Sequence, residues 1–182
     1  MEEDAKKNLR RSGEYLMYSI WIQNQLSDLI IINRNKEIIE SFNNTELVPD
    51  ILRQERYSFW EKDFREIKEV FENEFSELLT LQAKADLDSI YYFRNAIAHS
   101  NVSIGRKYLL YKPKTEKILE NIKKSLNIIN KNDVRLNYPE IIKIDFSNDS
   151  LHLHNFNAIK RLDEIFIKDI CNKLGINHLK IR

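Results

Sequence analysis

The sequence of 182 residues holds three glycines, three prolines and one cysteine. Domains built from many strands, and loops that wrap phosphates, spend Gly and Pro freely, so this scarcity argues against both and favours helices. Cys171 has no second cysteine to pair with; beside Ile170 and Leu174 in a helical pattern it reads as a packed thiol rather than a nucleophile. Long apolar runs are missing too. Spanning a bilayer takes roughly 20 such residues, and the nearest approach is Leu29 to Ile32. No N-terminal stretch has the basic, apolar, small-residue order of a signal peptide, so a cytoplasmic location without membrane contact is expected. The net charge of +1 lacks the strongly basic footprint of a duplex-coating protein.

What is present is a chain with 42% hydrophobic residues, enough for one core, and residues 1–182 read as a single domain. Charge is uneven along it. From Ser100 to Arg135 there are nine basic residues against three acidic ones, a local excess that can be solvated helix charge or a phosphate-attracting rim.

Apolar residues step by three and four from Glu3 to Asn33, through Leu9, Leu16, Ile20, Ile22, Leu26 and Leu29, which predicts one long helix. An Asn-rich connector ending at Pro49 follows, with room for a helical turn at Ile38-Ile39. A second long helix is expected from Arg53 to Leu81, a third from Lys84 to Ala98, and a fourth from Lys114 to Asn130. Between the last two lies an apolar-rich segment, Lys107 to Lys112. Ile142, Ile144 and Phe146 alternate with polar residues, then Leu151, Leu153 and Asn155 do so after a turn-like Ser147 to Ser150, predicting a β-hairpin. A final helix from Ala158 to Leu174 should stop at Gly175. The fold class is mainly α: a bundle of four to five helices with a small β-hairpin in its C-terminal part.

The third helix carries the chemistry. At about 100° per residue, Arg94 shares a stripe with Leu87, Ile90, Tyr91, Ile97 and Ala98, where a guanidinium is costly unless paired. Asp88, Tyr92, Asn95 and His99 form a polar line on an adjacent face. Asn95 lies one turn below His99, with Asp88 and Tyr92 supporting from further down. Arg94 and His99 are about 140° apart on one helix, so a composite site is expected where two copies meet at a two-fold axis, as a homodimer. Arg offers a fixed fork to phosphate oxygens and His exchanges protons near neutral pH, a combination suited to phosphodiester chemistry. Without a partner for the site, Arg94 would instead pair with an acid such as Asp88 or Glu77, and His99 would be a surface residue.

Arg94-Asn95-Ala96-Ile97-Ala98-His99 resembles the signature of the HEPN (higher eukaryotes and prokaryotes nucleotide-binding) family, with Phe93 and Ser100 also similar to its phage-defence and toxin members. The resemblance covers Leu9 to Asn130. It implies a dimeric, metal-independent endoribonuclease in which the 2′-hydroxyl attacks the adjacent phosphate, acting as a toxin or antiviral effector under an inhibitory or activating protein partner. It implies His99 as general acid/base, Arg94 as phosphate contact and Asn95 as positioning residue. A non-catalytic dimeric module that binds nucleotide or RNA, or scaffolds a partner, is the alternative. Asn101 stands where a toxin branch of the family has the Tyr that its partner modifies, so that control is not expected.

Arg106, Lys107, Tyr108 and Lys112 are the expected RNA contacts beyond the motif, and Tyr111 a second stacking residue. His152 and His154 share one face of the expected strand, but no third ligand follows at suitable spacing, so no metal and no cofactor are expected. Asp86 and Asp88, two apart on a helix, point away from each other.

Overall fold

A computed structural model describes residues 3–105, 107–125, 136–137 and 140–182, with Leu136 and Asn137 as backbone only. The protein is mainly helical. In chain order it runs α1 (Glu3–Arg34), a 3-10 turn (Lys36–Ile38), α2 (Ile39–Asn44), α3 (Asp50–Trp60), α4 (Phe64–Glu74), α5 (Leu81–Ala98), β1 (Asn101–Val102), β2 (Leu109–Tyr111), α6 (Glu116–Ser125), β3 (Leu136–Asn137), β4 (Ile141–Ile144), α7 (Asp149–Arg161), a π-helical stretch (Leu162–Ile167), α8 (Lys168–Leu174) and a 3-10 turn (His178–Lys180). No helix among the described residues is long and apolar enough to cross a membrane.

The division into helices is finer than the apolar spacing predicts. The expected helix from Arg53 to Leu81 is broken after Trp60 because Asp63 caps α4: its carboxylate accepts from the Glu66 backbone N–H while Glu66 reaches back to the Asp63 N–H, each at 2.9 Å. This reciprocal box satisfies two donors that a continuous helix would have used internally. The fourth helix is seen as α6; its expected end, 126–130, lies outside the described residues.

The hairpin expectation needs a larger correction. Ile142 and Ile144 do alternate into the core of β4, but residues 151–155 are helical, not extended. Asn148 is the reason: its side-chain oxygen accepts from the N–H groups of Ser150 and Leu151, the capping role Asn fills well. Leu151, Asn155, Ala158 and Ile159 are then buried at helical intervals. The strands that flank β4 are β2 and β3, in an antiparallel sheet of order β1-β2-β4-β3. Gly175 ends α8 in the left-handed conformation, φ 71°, as expected of it.

The chain forms two compact units, Met1–Ser19 with Ala85–Ile159, and Ile20–Lys84 with Lys160–Arg182. In the second, the helix stretch Gln25–Ile32 is buried on every side, and Phe71 stacks on Phe75 and meets Phe166 edge-on. Its buried Asp28 is held by both donors of the Arg56 fork. Burial pushes the Asp28 carboxyl up from its ordinary range, and Arg56 opposes that shift. Buried Asp163, in the π-helical stretch, accepts from Gln25 at 3.1 Å and contacts His178 at 2.9 Å and Arg182 at 3.4 Å. The first unit, which carries the motif, is centred on Tyr15. Its ring meets Phe93, Phe146 and Phe156 at centroid distances of 5.0, 6.1 and 5.6 Å.

Candidate functional site

The inward face of α5 is set by Ala83, Asp86, Leu87, Ile90, Phe93, Ala96 and Ile97, all buried. This face is rotated from the expected stripe. Phe93 and Ala96 belong to it, whereas Ala98 is exposed and Tyr91 and Arg94 are half-buried at its margin. Phe93 is decisive because its ring lies edge-on to Tyr15 and 5.4 Å from Phe146. Anchoring Phe93 inward aims its neighbour Arg94 along the edge of the core, and turns Asp88, Asn95 and His99 away from it.

Arg94 answers its own desolvation locally. Its Nη1 donates to the Asn95 side-chain oxygen at 3.0 Å, and among the described residues no carboxylate pairs with it. The expected alternative of a pairing with Asp88 or Glu77 is therefore absent, and no other acceptor among the described residues takes the remaining donors of the fork.

His99 stands just past the last turn. Its backbone N–H still bonds to the Asn95 carbonyl at 3.1 Å, and the Ser100 hydroxyl returns to the Ala96 carbonyl. These bonds fix the helix end while the imidazole is exposed. No side-chain partner among the described residues holds the ring. One chain thus joins Arg94 to Asn95, but not His99 to either side chain. Tyr92, half-buried, meets Tyr91 edge-on at 4.9 Å.

Two residues after His99 the chain enters β1, whose return strand is β2. The connecting loop is closed by the Ser103 N–H to the Tyr108 carbonyl at 3.0 Å, and by the Tyr108 N–H to Ser103 Oγ at 3.2 Å. Gly105, at φ 84°, supplies the left-handed residue this loop needs. Lys107 is exposed in this loop and Lys112 just past the far end of β2, and Arg106 lies outside the described residues. Asn8 Nδ2 donates to the Lys107 carbonyl, while Asn8 Oδ1 accepts from the Phe146 N–H, tying this loop to α1.

The two stacking candidates part company. Tyr111 is buried in β2, and burial, then Tyr91, raises its pKa; it has no face free for a base. Tyr108 is half-buried, and the Lys143 ammonium sits 4.4 Å from its ring centroid. Lys143 escaped the sequence reading because only the β2–β4 register, Leu110 opposite Lys143, brings the two together.

His152 and His154 do not form the side-by-side pair of a strand. Two apart on α7, they point in different directions: His152 packs 4.4 Å from the Phe156 ring, and His154 Nε2 lies 3.2 Å from the Ser125 carbonyl. Burial, then Arg11, lowers the pKa of His152. Cys171 is fully buried, and its thiol is pushed up to about 12 by burial and then by Asp163, in keeping with a packed rather than a nucleophilic thiol. No family model, curated protein or solved structure matches the chain.

Proposed function

We propose that the protein is a metal-independent endoribonuclease of the HEPN type, with Arg94, Asn95 and His99 as its working residues. The observation that carries this reading is the Arg94–Asn95 hydrogen bond. It ties a half-buried guanidinium to Asn95, the residue one turn before the exposed imidazole of His99 at the helix end. Arg94 contacts the non-bridging phosphate oxygens and meets the charge that grows on them in the transition state. Asn95 positions that fork. His99 moves the proton. The 2′-oxygen bonds to phosphorus as its proton leaves to a base, and the bond from phosphorus to the 5′-oxygen breaks as that oxygen gains a proton. The products are a 2′,3′-cyclic phosphate and a 5′-hydroxyl.

Two copies related by a two-fold axis complete the site, since one helix separates Arg94 and His99 by about 140°. They also supply two imidazoles, one for each proton. Lys107, Lys112 and the exposed edge of Tyr108 guide single-stranded RNA toward the site. Asp88 and Tyr92 support the same helix face. A toxin or defence role, checked by a protein partner, follows from the resemblance alone.

The unheld His99 ring favours a second reading, a dimeric module that binds RNA or nucleotide without turning it over. The two readings separate when purified protein is incubated with single-stranded and structured RNA in EDTA, beside Arg94→Ala and His99→Ala. Cleavage by the wild type with a loss of roughly 10² to 10⁴ in rate for His99→Ala supports catalysis. Intact RNA throughout, or equal cutting by all three proteins, contradicts it.

A further inference from the structure

Asn8 puts an amide into the buried face of α1, where it is 3% exposed. A carboxamide in such a place is costly unless both of its ends are bonded. Both are. Its Nδ2 donates to the Lys107 carbonyl, and its Oδ1 accepts from the Phe146 N–H at 3.0 Å.

Those two backbone groups are a rung of the sheet that does not close. The register pairs Leu109 with Ile144, and carried two residues further it sets Lys107 opposite Phe146. Tyr108 turns its own N–H and carbonyl to Ser103, on the β1 side, so by strand alternation the Lys107 carbonyl is turned toward β4. Strands in that register satisfy each other and need no side chain. Here the Asn8 carboxamide is inserted between them, and the β1–β2 loop hangs on α1 instead. Arg11, one turn along α1, donates to the Phe146 carbonyl at 2.7 Å, so α1 takes both backbone groups of Phe146.

Phe146 is also the link to the candidate site. Its ring lies 5.4 Å from that of Phe93, the residue before Arg94. The loop that carries Lys107 and Tyr108 is thus referred, through Asn8, to the same aromatic cluster that fixes α5.

We propose that Asn8 is a positioning residue for RNA binding: by holding this rung open, it sets Lys107 and Tyr108 in fixed relation to α5 for a single-stranded RNA. The proposal rests on the reading of Lys107 and Tyr108 as RNA contacts. Asn8 itself touches no RNA. A small apolar residue in its place frees the Lys107 carbonyl and the Phe146 N–H to bond to each other, which draws the loop toward β4.

The test measures binding apart from cleavage, by the fluorescence anisotropy of a labelled oligouridylate in EDTA, with every protein carrying His99→Ala. Asn8→Ala should weaken binding about five-fold, the worth of one hydrogen bond. Ser12→Ala is the control: that buried serine, one turn on, bonds within α1 to the Asn8 carbonyl, and its loss should lower the melting temperature without changing affinity. In a chain that also carries Lys107→Ala and Tyr108→Ala, Asn8→Ala should have no further effect, an outcome that a general loosening of the fold does not produce. Asn8→Asp keeps the acceptor for the Phe146 N–H and loses the donor to the Lys107 carbonyl, so it reads the loop bond alone where Asn8→Ala does not fold. Unchanged affinity in the folded Asn8 variants, an equal loss in Ser12→Ala, a further loss in the combined variant, failure of both Asn8 variants to fold, or no RNA binding by any protein each overturns the proposal. Binding that depends on Asn8 in this way, with a wild type that never cuts RNA, overturns the nuclease reading alone.

Discussion

The Arg94 guanidinium donates to the Asn95 side chain at 3.0 Å, although the two residues are adjacent on a helix and point about 100° apart. The bond bridges the margin of the core and the exposed face of α5, so the positively charged fork is turned toward the side on which His99 stands. Asn95→Ala should release that fork and lower cleavage about tenfold, the worth of one such hydrogen bond. Asn95→Asp keeps the acceptor but adds a negative charge beside the phosphate, and should do worse. Rates on one RNA for both variants check this; an Asn95→Ala enzyme as fast as wild type removes the positioning role.

Asp149 begins α7, and Lys7 and then Arg11 hold its carboxyl below the usual carboxylate range. A carboxyl lowered in the folded state adds stability above its ordinary value of 3.8 and loses it as pH falls through the folded value. Asp149→Asn should therefore unfold more easily than wild type at neutral pH, and the gap should close in acid. A gap that persists at the lowest pH would mean the ion pairs are not its cause.

The thiol of Cys171, raised to about 12, should not react with iodoacetamide in the folded protein at mildly alkaline pH. It should be labelled fully in denaturant. Mass spectrometry of the two samples reads this directly, and labelling of the native protein would place Cys171 at an accessible position.

Asp63→Ala removes one half of the capping box and should cost about 1 kcal/mol in urea unfolding. Glu66→Gln retains hydrogen bonding to the Asp63 N–H and should cost less.

That capping box was written in the sequence as Asp63-x-x-Glu66, yet the apolar spacing through Tyr57, Trp60, Phe64 and Ile67 masked it. Helical period survives a break when the second helix resumes in phase. The alternation of Leu151, Leu153 and Asn155 misled for a related reason. Five residues do not distinguish the two periods, and the Asn148 cap, which does, is a local polar signal. The extents of the long helices α1 and α5, the end at Gly175 and the strand at Ile142–Ile144 were legible from spacing, but the buried faces of the helices were not: Gln25–Ile32 is buried on every side, while Leu9 and Ile20 of the expected α1 stripe are exposed. At the motif, the residue types and their order along α5 were legible. What was not legible was which side of the helix faces inward. Phe93 decides that through contacts with Tyr15 and Phe146, 78 and 53 residues away in sequence. The Lys143 contact on Tyr108 and the Asn8 bond to Lys107 span 35 and 99 residues, and no local pattern announces them.

The most direct test is the chemistry of the cut ends. RNA incubated with wild-type protein in EDTA should yield fragments carrying a 2′,3′-cyclic phosphate and a 5′-hydroxyl, and His99→Ala prepared identically should yield almost none. Fragments with a 3′-hydroxyl and a 5′-phosphate, or the same fragments in equal amount from His99→Ala, would contradict the assignment of Arg94, Asn95 and His99 as the site of cleavage.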